Sequence, residues 1–148
     1  MKPVLSELLV AASVFFGALP QERSIHLLDP WIRPGAAGGN SALYVRLHNA
    51  GSVPDTLLEA TAEVAARVEL HQTVSGPGNM RRMEPVSYVV LPARGEFRLE
   101  PGGWHVMLLG LKRDLRAGDT VKVELRFARA GRVQLQAPVR PLSRGGRR

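Results

Sequence analysis

Hydrophobic and polar positions alternate with a period of two along most of this chain after Pro20. Leu43, Val45 and Leu47 fall on one side of a strand, and Tyr44, Arg46 and His48 on the other. Val121, Val123, Leu125 and Phe127 oppose Lys122, Glu124 and Arg126, and Val133 and Leu135 oppose Gln134 and Gln136. Such alternation predicts strands with one buried and one wet face. Shorter strands are expected over 24–29, 55–60, 66–74, 79–84, 86–91, 95–100 and 104–111. Turn chemistry separates them, as in Asn49-Ala50-Gly51-Ser52, Ser75-Gly76-Pro77-Gly78-Asn79 and Pro101-Gly102-Gly103. Eleven prolines spread along the chain argue against long helices. Many short strands with regular turns predict an all-β fold, an antiparallel Greek-key β-sandwich. No repeat or linker divides residues 22–140, which read as one domain.

The two ends depart from this pattern. Residues 1–20 contain the apolar run Leu8 to Leu19 after a single early Lys2. Its length suits a signal peptide or an N-terminal anchor, and it falls short of the ~20 apolar residues of a membrane-spanning helix. We therefore expect an exported protein whose mature domain is not stably inserted in a membrane. Residues 141–148 are rich in Gly and Arg and read as a disordered basic tail.

Composition sharpens the picture at two points. The formal net charge is +7, but four of those charges are Arg140, Arg144, Arg147 and Arg148. Aromatic residues are only 5% of the chain, so the basic face interleaved with aromatics that nucleic-acid binding wants is missing. The chain contains no cysteine. That excludes disulfides, Cys-ligated zinc, iron–sulfur clusters, a blue-copper thiolate and a lipid-modified cysteine within these residues.

The remaining chemistry lies in histidine and methionine. His105 and Met107 stand at i and i+2 in Trp104-His-Val-Met-Leu-Leu-Gly110, so a strand sets them on one face roughly 6.6 Å apart. A neutral imidazole and a thioether suit a soft metal ion such as Cu(I), and serve Mg(II), Ca(II) or Zn(II) poorly. The bland alternative is a core methionine beside a satisfied strand histidine. His71 shifts the balance, because Val68 and Leu70 claim the core face and leave His71 outward with Arg67 and Glu69. Met83 sits in Arg81-Arg82-Met83-Glu84, where it has little core to fill. Whether Met80 takes part stays open.

Read together, the spacing is His71, Gln72, ten residues, Met83, twenty-one residues, His105, one residue, Met107. This pattern, with Val-Glu-Leu-His and Leu-Glu-Pro-Gly-Gly-Trp-His-Val-Met around it, resembles the PCu(A)C family of periplasmic copper chaperones. The resemblance runs from about Trp31 to Val139. It implies a cupredoxin-like β-sandwich and one Cu(I) held by His71, Met83, His105 and Met107. It also implies a periplasmic, non-enzymatic carrier that delivers copper to the binuclear site of cytochrome c oxidase subunit II, often with a Sco-type thioredoxin-like protein. Gln72 occupies a position where many members have methionine. The tail lacks the His- and Met-rich extension that some members carry.

Other readings weigh less. A hydrolytic zinc site with Glu69 as base would leave the methionines unexplained. A non-metal interaction module would make the histidines incidental, and a copper store or sensor would use the same four residues. Trp104 is expected to pack in the core. His26 and His48 have no methionine or carboxylate at ligand spacing, so they are expected to be solvated or satisfied in turns.

Overall fold

A computed structural model describes residues 24–142. The N-terminal segment 1–20 and the tail from 143 onward lie outside the described residues. The strands are β1 (Ile25–Ile32), β2 (Ser41–Asn49), β3 (Asp55–Thr61), β4 (Ala65–Ser75), β5 (Arg81–Val86), β6 (Val89–Leu91), β7 (Glu96–Leu99), β8 (Trp104–Leu111), β9 (Thr120–Phe127) and β10 (Gly131–Pro138). They form a six-stranded sheet in the order β1-β2-β7-β8-β4-β5 and a four-stranded sheet in the order β10-β9-β3-β6. Neighbours pair antiparallel, apart from a single parallel Leu99–Trp104 contact between β7 and β8. The expected cupredoxin-like β-sandwich is therefore the observed fold.

The core lies between the sheets. Leu43, Val45 and Leu47 of β2 and Val106 and Leu108 of β8 meet Leu57 of β3 and Val121, Val123, Leu125 and Phe127 of β9. All are fully or almost fully removed from water. This burial supplies the main driving force of folding. Trp104 packs against the edge of the core, with its ring edge-on to Phe97 at 5.5 Å.

Two local departures from the expected boundaries shape the outer face of the larger sheet. β1 does not stop at residue 29 but continues to Ile32 through a bulge between Leu28 and Trp31. Asp29 takes φ +50° there and accepts a 2.8 Å hydrogen bond from Arg46, which steadies the bulge. The extra residue puts Trp31 opposite Tyr44 on the outer face. β5 begins at Arg81 rather than 79, because Pro77–Asn79 wind into a helical turn with φ of +68° at Gly78 and +61° at Asn79. Glycine accepts that conformation without penalty, and asparagine tolerates it.

Candidate metal centre

Register brings the sequence-predicted residues onto one surface. His71 on β4 stands directly opposite His105 on β8, and Met107 stands opposite Glu69. Met83 on β5 is opposite Thr73, two positions along β4 from His71. Directly opposed residues in an antiparallel pair share a sheet face, as do residues two apart on one strand. His71, His105, Met107 and Met83 therefore occupy one patch on the outer face of the six-stranded sheet, away from the sandwich core.

Outward position leaves only Met83 of these four side chains wet. His105 is 3% exposed, and His71 and Met107 are each 9% exposed. His71 is outward and outside the sandwich core, as alternation requires, and is nevertheless buried. Neighbouring rings explain the cover. Trp31 and Tyr44 lie 4.6 Å apart, Tyr44 and His105 6.4 Å, and His105 and His71 5.7 Å. Four rings thus cross β1, β2, β8 and β4 in a strip. Tyr44 belongs to this cover rather than to the wet face that alternation assigned it. Met83 is half-exposed at the rim, and Met80 lies farther out at 72% exposure.

The hydrogen bonds of the two imidazoles define what they can do. His105 Nδ1 donates to the Gly103 carbonyl at 3.2 Å, leaving Nε2 as the lone-pair nitrogen. That carbonyl also accepts from the Thr73 amide at 3.1 Å, which ties the Pro101–Gly103 turn to β4. His71 Nε2 donates to Glu69 at 2.7 Å, leaving Nδ1 as its lone-pair nitrogen. Both lone-pair nitrogens, His71 Nδ1 and His105 Nε2, are buried without a hydrogen-bond partner. Elsewhere buried polar groups are served. The Asp55 carboxylate accepts from the amides of Thr56, Arg129 and Ala130, and the Ser41 hydroxyl donates to the Arg33 carbonyl. Leaving a buried polar atom unpaired costs about 1–3 kcal/mol, so two adjacent orphan nitrogens point to a missing ligand.

Electrostatics keep the imidazoles ready to bind. Burial holds the His105 pKa below the ordinary histidine value, with nearby His71 and Arg33 adding to the effect and the Gly103 hydrogen bond opposing it. The hydrogen bond from His71 holds the Glu69 carboxyl below its usual range. Burial raises the Tyr44 pKa. A carboxylate or carbonyl on the second ring nitrogen is the usual way a metal-binding histidine is fixed in tautomer and orientation. Among the described residues, no group of three or more His, Cys, Asp or Glu side chains could hold a metal ion. The donors here are two imidazoles with nearby thioethers, the set that soft ions prefer.

Sequence reasoning missed Trp31 and Tyr44 as cover and the pairing of Glu69 with His71. The first depends on the β1 bulge, which leaves no clear trace in the sequence. The second had a signal, since Glu69 and His71 are two apart on one strand.

Known proteins resemble this chain over most of its described residues. Residues 25–139 match the family model of the LpqE-like family, which is described by lipoprotein likeness. A Leifsonia xyli subsp. xyli protein, Lxx21020, named as a lipoprotein, is 32% identical over 123 residues, covering 83% of this chain and 74% of that protein. The solved Cu(I) form of DR1885 from Deinococcus radiodurans is 30% identical with a TM-score of 0.62, covering 81% of this chain and 82% of that one. The apo PCuAC domain from PmoF1 is 28% identical with a TM-score of 0.66, covering 80% and 94%.

Proposed function

The chain belongs to the LpqE-like family and is of the PCu(A)C type, and from that premise we propose that it is a Cu(I) carrier whose ligands are His71, Met83, His105 and Met107. The observation that carries the reading is the pair of buried, unpartnered nitrogens, His71 Nδ1 and His105 Nε2, on directly opposed residues. Met107 adds a buried thioether beside them, and Met83 adds one at the open rim. Four neutral donors leave bound Cu(I) with a charge of +1. Glu69 balances it through the His71 ring rather than by direct ligation.

The same arrangement suits hand-over. His71, His105 and Met107 sit in a rigid, covered strip, whereas Met83 is half-exposed on the sheet edge. An acceptor's ligand can displace the rim thioether first while the imidazoles still hold the ion. Thioethers do not form disulfides, so the carrier works in an oxidising compartment where thiol ligands would be lost. We place the domain outside the cytoplasm, in the periplasm. Its lipoprotein-named relative supports export, and no helix among the described residues is long and apolar enough to cross a membrane. These 148 residues hold no cysteine to carry a lipid.

The acceptor we propose is the binuclear copper site of cytochrome c oxidase subunit II, with a Sco-type thioredoxin-like protein as co-factor of assembly. The carrier itself performs no catalysis. The test mixes Cu(I)-loaded protein with the apo soluble domain of subunit II, with and without the Sco-type protein. After one-electron oxidation of the mixture by added ferricyanide, growth of the mixed-valence binuclear-copper absorption supports the reading. Copper that stays on the carrier in both mixtures overturns the delivery role and leaves storage.

A further inference from the structure

The opposite end of the same sheet face carries the two histidines that the Cu(I) centre does not use. His26 and His48 are far apart in the sequence, yet the β1–β2 register sets them directly opposite one another. Their rings stack with centroids 6.2 Å apart and planes 26° apart. His26 is exposed and His48 half-buried, so the pair is open to solvent. Neither ring has a hydrogen-bond or ion-pair partner among the described residues. Opposed residues on antiparallel strands have Cβ atoms about 4.5–5.5 Å apart. Ordinary ring rotations then bring two nitrogens within the roughly 4 Å that two metal–imidazole bonds span.

We propose that His26 and His48 form a cross-strand clamp for a divalent late transition-metal ion, Cu(II) foremost, separate from the Cu(I) centre. The donor types set the metal. Both ligands are imidazoles, and no methionine lies on β1, β2 or β7. Without a thioether the clamp offers nothing special to Cu(I), and among divalent ions the stability order puts Cu(II) first. His48 lies four positions along β2 from Tyr44, a distance of about 13 Å, so the two sites cannot share an ion.

The surroundings tolerate a cation. Glu96 on β7 is the register partner of His48. Its carboxylate meets Arg98 at 3.2 Å and Arg46 at 3.8 Å, and Asp29 holds Arg46 at 2.8 Å. The two carboxylates offset the guanidiniums on this face, and Glu96 is already engaged and is not counted as a ligand. With two protein donors, the other coordination positions go to water, and the ion stays exchangeable.

The test titrates Cu(II) alone, in air, into the full chain and into H26Q, H48Q and the H71Q/H105Q double variant. Calorimetry gives stoichiometry and affinity, and NMR follows the histidine ring protons. The wild type and H71Q/H105Q each bind the clamp's equivalent, and the His26 and His48 ring signals broaden first. Either single substitution removes the chelate and weakens that equivalent roughly 100-fold. Unchanged Cu(II) affinity in H48Q overturns the proposal. So does an equivalent that disappears in H71Q/H105Q, or broadening that begins at rings other than His26 and His48. None of these outcomes depends on whether the other centre binds Cu(I).

Discussion

Strands β8 and β9 have the same length and lie in the same sandwich, but they obey different burial rules. In β9, Val121, Val123, Leu125 and Phe127 are buried, while Lys122 is exposed and Glu124 and Arg126 are half-exposed. One face meets the core and the other meets water, where Arg126 pairs with Glu59 and Arg132 with Glu124. In β8, His105, Val106, Met107 and Leu108 are buried in succession. Only Val106 and Leu108 can reach the core, since side chains alternate across a strand. His105 and Met107 are buried on the far side, where there is no second sheet. The cover there is a short strip of rings, and what it covers are metal donors. Broken alternation thus marks a small second layer built for chemistry.

The comparison can be broken first at the strand that is purely structural. Leu125→Ala empties a fully buried position. It should cost about 2–5 kcal/mol in denaturant unfolding, while the folded fraction still binds one Cu(I). A loss of Cu(I) stoichiometry in folded L125A would mean that the two strands do not divide the work as described. At β8, Met107→Ala should weaken Cu(I) by at least about 100-fold, close to 2.7 kcal/mol, in competition with a Cu(I) chelator. Zn(II) affinity should change far less, because Zn(II) gains little from a thioether. Equal losses for both ions would make Met107 a packing residue.

A gentler change separates holding the metal from aiming a ligand. Glu69→Gln keeps the shape but withdraws the charge that fixes the His71 tautomer. Loss of such a partner typically lowers metal affinity 10–100-fold, and the fold should be unaffected. An unchanged Cu(I) affinity would remove Glu69 from the site.

Acid gives a further contrast. The His105 pKa in the fold lies below its unfolded value of about 6.5 because the ring is buried. The unfolded chain therefore takes up this proton first as pH falls. The neutral ring's contribution to stability is present above about pH 6.5 and is lost as pH falls through the lower folded pKa. Copper should be released over the same acidic range, because the ligand must be neutral. Apo-protein melting and Cu(I) retention, followed from pH 7.5 downward, should decline together. A His105→Gln variant should lose this part of the acid dependence. The smallest effect belongs to the wet face of β9. Arg126→Ala breaks a 3.0 Å surface pair with Glu59 and should change stability by less than about 1 kcal/mol and Cu(I) affinity not at all.

Most of the fold was legible because its signal is local. Alternation in 43–48 and 121–127 marked strands that form with little change in extent, 133–136 marked the middle of the longer β10, and 104–111 matches β8 to the residue. The misjudged ends of β1 and β5 come from conformations that periodicity does not encode, the Asp29 bulge and the Gly78–Asn79 turn, and the strand expected over 86–91 is shortened to Val89–Leu91 because β5 runs on to Val86. The candidate site was legible as a set of residue types at telling spacings. Its depth was not, because the strip that runs from Trp31 through Tyr44 and His105 to His71 exists only through the pairing of β1, β2, β8 and β4. The same holds for His26 and His48, whose neighbourhood is created wholly by strand pairing.

The central claim is that the covered strip on β8 and β4, with Met83 at its rim, holds one soft ion. Cu(I) titrated under reducing conditions against a competing chelator, with X-ray absorption of the loaded protein, tests it most directly. The account predicts one Cu(I) per chain with two sulfur and two nitrogen donors. A stoichiometry near zero, or a bound ion without sulfur in its shell, would contradict it.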